Sequence, residues 1–203
     1  MPQPDLQRAR QYVLQRLEHE LSPALVYHSV SHTRDEVVPA AERLAGLEGV
    51  QGEDLVLLLT GAYFHDIGFV GRRANHELAS QRIARQVLPG FGYSPAQLAV
   101  VDSLIEATRL PQTPHNLLEE IMVDADLDVL GRKDFLARSQ ALRAELAAYE
   151  APLTDKAWYI IQVDFLTSHH YFTSAARRLR DAQKAQNIET MKELLAGVPG
   201  RWA

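Results

Sequence analysis

Apolar residues recur at intervals of three and four along most of the chain, the period of amphipathic α-helices. Val13, Leu14 and Leu17 mark a first helix, and Val37, Val38, Ala41, Leu44 and Leu47 mark a second, with Ser22-Pro23 between them. Gly46, Gly49 and Gly52 punctuate the next connection, before a third helix over about 53–65. That helix holds the longest apolar run, 55–64, interrupted by Thr60. The run is far short of the roughly 20 residues that span a bilayer, so it reads as a buried helix. Gly68 and Gly71 form a loop, and a helix over about 75–87 is stopped by Pro89-Gly90. Ser94-Pro95 opens a fifth helix, with serine as N-cap and proline at the first helical position, and this helix runs to about Thr108. After the rigid connection 110–114, helices follow over about 117–123, 134–149, 154–166, 173–185 and 188–195. Leu25-Val26-Tyr27 alone has strand character, and it has no partner. The pattern predicts an all-α fold, a helical bundle with additional C-terminal helices, in a single domain over 1–203. The faintest boundary, near 150–152, divides a region holding the candidate chemistry from a helical tail.

Composition narrows the function. The chain has 203 residues, 46% hydrophobic and 23% charged, as in an ordinary globular protein. At this size about 70% of the unfolded surface is buried in one core. Lys+Arg number 21 against 26 Asp+Glu, a net charge of −5, which disfavours general nucleic-acid binding and anionic membrane surfaces. The first 20 residues are charged throughout and lack the apolar core of a signal peptide, so a cytoplasmic location is expected. With no cysteine, disulfides, thiolate metal sites and a cysteine nucleophile are excluded, so any transition metal must be held by nitrogen and oxygen. There is no Gly-Lys-Ser/Thr phosphate loop, no GxGxxG after a strand and no repeat at solenoid periods.

Eight histidines make a nitrogen and oxygen site worth seeking. His28 and His32 stand four apart in Tyr27-His28-Ser29-Val30-Ser31-His32-Thr33; His65-Asp66 closes an apolar helix; and Asp124-Ala125-Asp126 closes the apolar run Ile121-Met122-Val123. Ionisable groups at the ends of buried helices are costly without partners, and one divalent cation can serve several of them at once. A His-x-x-x-His pair, an adjacent His-Asp or an Asp-Ala-Asp cap is common taken singly. Their order, at the ends of helices that a bundle can bring to one point, gives them weight.

The succession His32, His65-Asp66 and Asp126 resembles the signature of the HD-domain metal-dependent phosphohydrolases, named for the adjacent His-Asp pair. Tyr27-His28, Gly61-Ala62-Tyr63-Phe64 before His65-Asp66-Ile67-Gly68, His76-Glu77-Leu78-Ala79-Ser80 and Asp124-Ala125-Asp126-Leu127-Asp128 fit as well, over about 25–135. The resemblance implies four metal ligands: His32, His65, Asp66 and, in preference to Asp124, Asp126. His28 is then a supporting group. Asp66 is also the catalytic carboxylate, bridging a second metal or accepting a proton from the attacking water. His76 stands where some members add a ligand, but Ala107-Thr108-Arg109 departs from the pattern at the next such position, which favours one metal with His76 near the phosphate. Two imidazoles and two carboxylates suit Mn²⁺, Fe²⁺, Co²⁺, Ni²⁺, Mg²⁺ or Zn²⁺ and leave about two positions open for water and a phosphoryl oxygen.

Substrate phosphate needs cationic donors. Arg72 and Arg73 follow the His-Asp pair, Arg109 ends the fifth helix and Arg132-Lys133 follow the aspartates, with Arg109 the first choice. Glu77 is a candidate for orienting the loop or acting as an acid. In the tail, Trp158, Tyr159, Phe165, His169, His170, Tyr171 and Phe172 either close the core or line a pocket, and Arg177, Arg178, Arg180 and Lys184 form a basic face. The expected partner is a small phosphorylated molecule such as a nucleotide or cyclic nucleotide, without membrane or general nucleic-acid binding. The expected activity is hydrolysis of its phosphoester. The alternative is a ligand-binding or signalling module of the same type with little turnover, against which the complete ligand set argues.

Overall fold

In the computed structural model, residues 3–198 are described, and among them lie nine α-helices and no strand. They are α1 Leu6–Glu20, α2 Val38–Glu48, α3 Gly52–Phe64, α4 His76–Val87, α5 Pro95–Ala107, α6 Leu117–Asp126, α7 Phe135–Ala147, α8 Asp155–Ser168 and α9 Ser174–Ala196. The ends of the expected 1–203 domain, including Trp202, lie outside the described residues.

The most apolar helix is central. Every residue from Leu57 to Phe64 in α3 is buried, and α1, α2, α5 and α6 pack around it. α1 presents Ala9, Val13 and Leu17 at i, i+4 and i+8, and its start is held by the Asp5 carboxylate accepting from Arg8 N at 3.0 Å. α5 begins with the expected Ser94-Pro95, completed by a reciprocal bond from Gln97. A second, smaller core joins Val129, Leu130, Phe135, Leu166 and Met191, where the short 3₁₀ turn Asp128–Gly131 meets α7, α8 and α9.

One expectation is corrected, and two segments take a form the pattern left open. Leu25-Val26-Tyr27, which has strand character but no partner, is irregular and bent. The segment from His32 to Val37 is a π-helical turn that runs directly into α2, a wide turn of the kind that concentrates at functional sites. The two expected C-terminal helices are one, α9. The gap expected at 186–187 is closed: Asn187 sits inside α9, where its side-chain amide donates to the carbonyls of Leu130 and Arg132 at 2.8 and 2.9 Å. No described helix is long and apolar enough to cross a membrane.

Candidate metal centre

Three chain segments converge on one point. His32 opens the π-helical turn, His65 caps the C-terminus of α3 with Asp66 directly after it, and Asp126 is the last residue of α6. His32 Nε2 and His65 Nε2 each lie 3.4 Å from Asp126 Oδ1, and Asp66 Oδ2 lies 3.2 Å from His65 Nε2 and 3.7 Å from His32 Nε2. One donor atom from each of His32, His65 and Asp66 falls within 4.8 Å of the others, and all three residues are buried. The turn after the His-Asp pair is held by Ser80, whose hydroxyl donates to the His65 carbonyl at 2.7 Å and accepts from Gly68 N at 2.8 Å. Gly68 is required there, since a Cβ would stand 2.0 Å from the His76 carbonyl oxygen.

The imidazoles are presented for coordination. His65 Nδ1 donates to the Ala62 carbonyl at 2.8 Å and His32 Nδ1 donates to Glu36 Oε2 at 3.2 Å, so in the neutral ring the bare nitrogen of each is Nε2, the one facing the aspartates. Supports of this kind fix the ring and tautomer of metal-binding histidines. The opposite atoms have no such satisfaction: His65 Nε2 and Asp66 Oδ2 are buried without a hydrogen-bond partner among the described residues. Burial alone lowers both histidine pKa values, yet the carboxylates of Asp66 and Asp126 override it and hold His32 above, and His65 well above, the ordinary value. Burial raises both aspartates, and the imidazoles reverse that, drawing Asp66 and Asp126 well below the carboxylate range. Opposed buried groups that lean so heavily on each other, with unbonded lone pairs between them, form a donor set that a divalent cation fits.

The other candidates separate around this point. Asp124 faces away, although only two residues from Asp126. Its carboxylate accepts from Phe172 N, Thr173 N and Thr173 Oγ1 at 2.9, 2.8 and 2.7 Å, and Thr173 in turn caps α9. Asp128 is bound by Arg180 through two bonds of 2.7 and 2.9 Å and by Arg43 at 3.0 Å. His76 Nε2 lies 3.3 Å from Asp66 Oδ1, and its ring stacks on Phe69 at 4.0 Å. Phe69 also stacks with His28 at 4.5 Å, and His28 Nδ1 donates to Glu145.

Arg109 lines the adjoining cavity, bonded to Glu106 through Nη1 while its Nε and Nη2 are buried without a hydrogen-bond partner among the described residues. Arg72 and Arg73 do not line it: Arg72 is exposed, and Arg73 lies over the Tyr149 ring at 4.2 Å with the Glu150 carboxylate 3.6 Å away. Arg132 bonds Asp134 and likewise lies outside the cavity. In the tail, Trp158 and Tyr171 are core and Phe165 lines the cavity. His169 stands against Tyr171 with its pKa lowered to about 3 by burial and by Lys184.

The cavity, about 330 Å³, opens from the centre onto α7 and α8. Sequence reasoning missed most of that wall. Arg138 bonds the Tyr27 carbonyl at 3.0 Å and lies 3.1 Å from Glu36 Oε1, tying α7 to the residue that orients His32. Ser139, Leu142 and Gln162 complete the wall, and Glu145 accepts the backbone N–H groups of Tyr27 and His28 at 2.8 and 3.0 Å. The detectable signal was the stripe Phe135, Arg138, Ser139, Leu142, Glu145 at helical spacing, polar residues interrupting a face that should be apolar.

The sequence matches no protein-family model and no curated protein. The fold is shared with solved structures. A predicted HD superfamily hydrolase from an uncultured Thermotogales bacterium superposes with a TM-score of 0.64 over 95% of this chain and 92% of its own, at 21% identity. A protein from Lactobacillus plantarum gives 0.70 over 94% and 95%, at 20% identity. Bacillus subtilis YpgQ, in complex with ADP, gives 0.67 over 98% and 97%, at 19% identity. The chain has the HD-domain hydrolase fold.

Proposed function

We propose that the protein is a metal-dependent phosphohydrolase of small phosphoesters, nucleotides foremost, with His32, His65, Asp66 and Asp126 as its metal ligands. The observation that carries this reading is the pair of buried, unbonded atoms His65 Nε2 and Asp66 Oδ2, set with His32 Nε2 and Asp126 at one end of a ligand-sized cavity. A divalent cation bound there polarises phosphorus and lowers the pKa of a water. With such a cation held there, Asp66 Oδ1 would be the carboxylate oxygen placed to take the proton of the water, and His76 Nε2, 3.3 Å away, would be the group to receive it onward. Arg109 offers the Nε and Nη2 edge of its guanidinium, which makes no hydrogen bond among the described residues and has the Glu77 carboxylate 4.0 Å from Nε, as the fork that binds two phosphate oxygens. His28, held by Glu145, keeps the opposite wall in place. The net charge of −5 gives little long-range attraction for an anion, so phosphate binding rests on these local groups. The ADP bound to YpgQ supports a nucleotide substrate here.

The test is elemental analysis of the purified protein followed by a screen of nucleotides and generic phosphoesters with each divalent metal. Release of phosphate or pyrophosphate that Asp66→Ala abolishes, with helical content preserved, is expected. A protein that takes up no metal and cleaves nothing under any supplement is not a hydrolase of this kind, and metal uptake without turnover points to a binding module.

A further inference from the structure

The part of the cavity wall supplied by Leu130, Phe135, Leu142 and Phe165 is apolar, and beside Arg138 its polar members are Ser139 and Gln162. Ser139 on α7 and Gln162 on α8 are both buried, 3% and 6% exposed, and Ser139 Oγ donates to Gln162 Oε1 at 3.1 Å. That bond fixes the carboxamide, with its oxygen turned to α7. The amide nitrogen is left on the other side, where it has no hydrogen-bond partner among the described residues, and the residue lines the cavity. An amide donor that reaches the cavity without a protein partner donates to whatever fills it, and a ligand that displaces water there without offering an acceptor loses that hydrogen bond.

We infer that Gln162, oriented by Ser139, is the specificity-determining residue of this site, and that it donates to an acceptor on the organic part of the substrate. The inference rests on the phosphohydrolase reading for the phosphate end. The chemistry that fits is a largely apolar body with an acceptor at its edge, as a nucleobase presents in a carbonyl oxygen or ring nitrogen. An alkyl phosphate leaves the amide unpaired. A bare sugar phosphate places hydroxyls against Phe135 and Phe165, where nothing satisfies them. An enzyme site built around a buried hydrogen-bond donor discriminates strongly against ligands that lack the acceptor.

Nucleosides test this without turnover, since they carry no phosphate to cleave. The full chain is titrated calorimetrically with adenosine, guanosine, cytidine, uridine and ribose. At least one nucleoside is expected to bind while ribose does not, with a spread of about tenfold or more among the four, the worth of one hydrogen bond of about 1.4 kcal/mol. Gln162→Leu, close in volume, is expected to weaken the preferred nucleoside about tenfold and shrink the spread to about threefold. Ser139→Ala, which frees the carboxamide to rotate, gives a smaller loss in the same direction and carries the test alone if the Gln162 variant misfolds. No nucleoside binding, or the same preferences in all variants, overturns the inference. Cleavage of nucleotides with unchanged preferences overturns it while sparing the hydrolase reading; Gln162-dependent nucleoside binding without any cleavage does the reverse.

Discussion

Glu145 joins the C-terminal helices to the segment that leads into His32, and removing it has a magnitude that follows from its bonds. Its side chain is 1% exposed; Oε2 accepts from Tyr27 N and His28 N, and Oε1 accepts from His28 Nδ1, 117 residues away in sequence. In Glu145→Ala two backbone donors lose their partner, each at about 1–3 kcal/mol when left buried, or about 2–6 kcal/mol together. For a chain of this size about 2–4 °C of Tm accompanies each kcal/mol, so a fall of roughly 4–24 °C is expected. Glu145→Gln keeps one oxygen for both backbone N–H groups and presents NH₂ to an imidazole that can change tautomer, so its cost is nearer 1 kcal/mol. The two variants also differ from wild type in acid. Burial raises the Glu145 pKa, but His28 and the backbone N–H groups outweigh it and hold the carboxyl below its ordinary value. A depressed folded-state pKa means that the stabilisation is fully present above the unfolded value, about 4.3, and is lost as pH falls through the folded value. The gap between wild type and Glu145→Gln should therefore close below about pH 4. Urea denaturation at pH 7 and at stepped acid pH measures both effects. A Glu145→Ala loss under about 0.5 kcal/mol at pH 7, the ordinary scatter of surface substitutions, refutes the reasoning.

Three further outcomes are expected. Gly68→Ala places a Cβ 2.0 Å from the His76 carbonyl oxygen and 2.9 Å from Ser80 N, both backbone, so it should destabilise by about 3 kcal/mol or more; a thermal melt within 1 °C of wild type contradicts this. Asp124→Asn leaves the Phe172 amide facing an NH₂ and should cost about 1–3 kcal/mol with metal stoichiometry unchanged, whereas Asp126→Asn should lower metal affinity; equal metal losses would erase the distinction between the two aspartates. Metal affinity should fall as pH falls, because the raised histidines take up protons on the nitrogens that coordinate. Binding should release up to one proton from each of His32 and His65, read by calorimetry in buffers of different ionisation enthalpy, and affinity flat from pH 6 to 8 is the contrary result.

What was legible in the sequence was local. The Ser94-Pro95 start of α5, the burial of α3 and the adjacency of His65 and Asp66 depend on residues within a turn or two of each other, and hydrophobic period and cap chemistry report such relations. Asp124, Asp126 and Asp128 look alike in sequence, yet Phe172 and Thr173, just before α9, claim the first and Arg180 of α9 the third, leaving the middle one beside His32 and His65. Only tertiary packing separates them. The continuity of α9 through 186–187 was not legible because the bonds of Asn187 to Leu130 and Arg132 cross more than fifty residues. The wall built by Arg138, Ser139 and Gln162 was hidden for the same reason: polar residues on an amphipathic helix read as solvent-facing unless something shows that the face they occupy is covered. The motif marks the cluster of His32, His65, Asp66 and Asp126, and α7 and α8 supply much of the cavity wall beside it.

The central claim is that His32, His65, Asp66 and Asp126 hold one divalent cation. Crystals grown with Mn²⁺ and measured for anomalous scattering test it most directly. One peak within about 2.0–2.3 Å of His32 Nε2, His65 Nε2 and an oxygen of each of Asp66 and Asp126 is the expected result. No peak there at saturating Mn²⁺, or a peak held by Asp124 in place of Asp126, contradicts it.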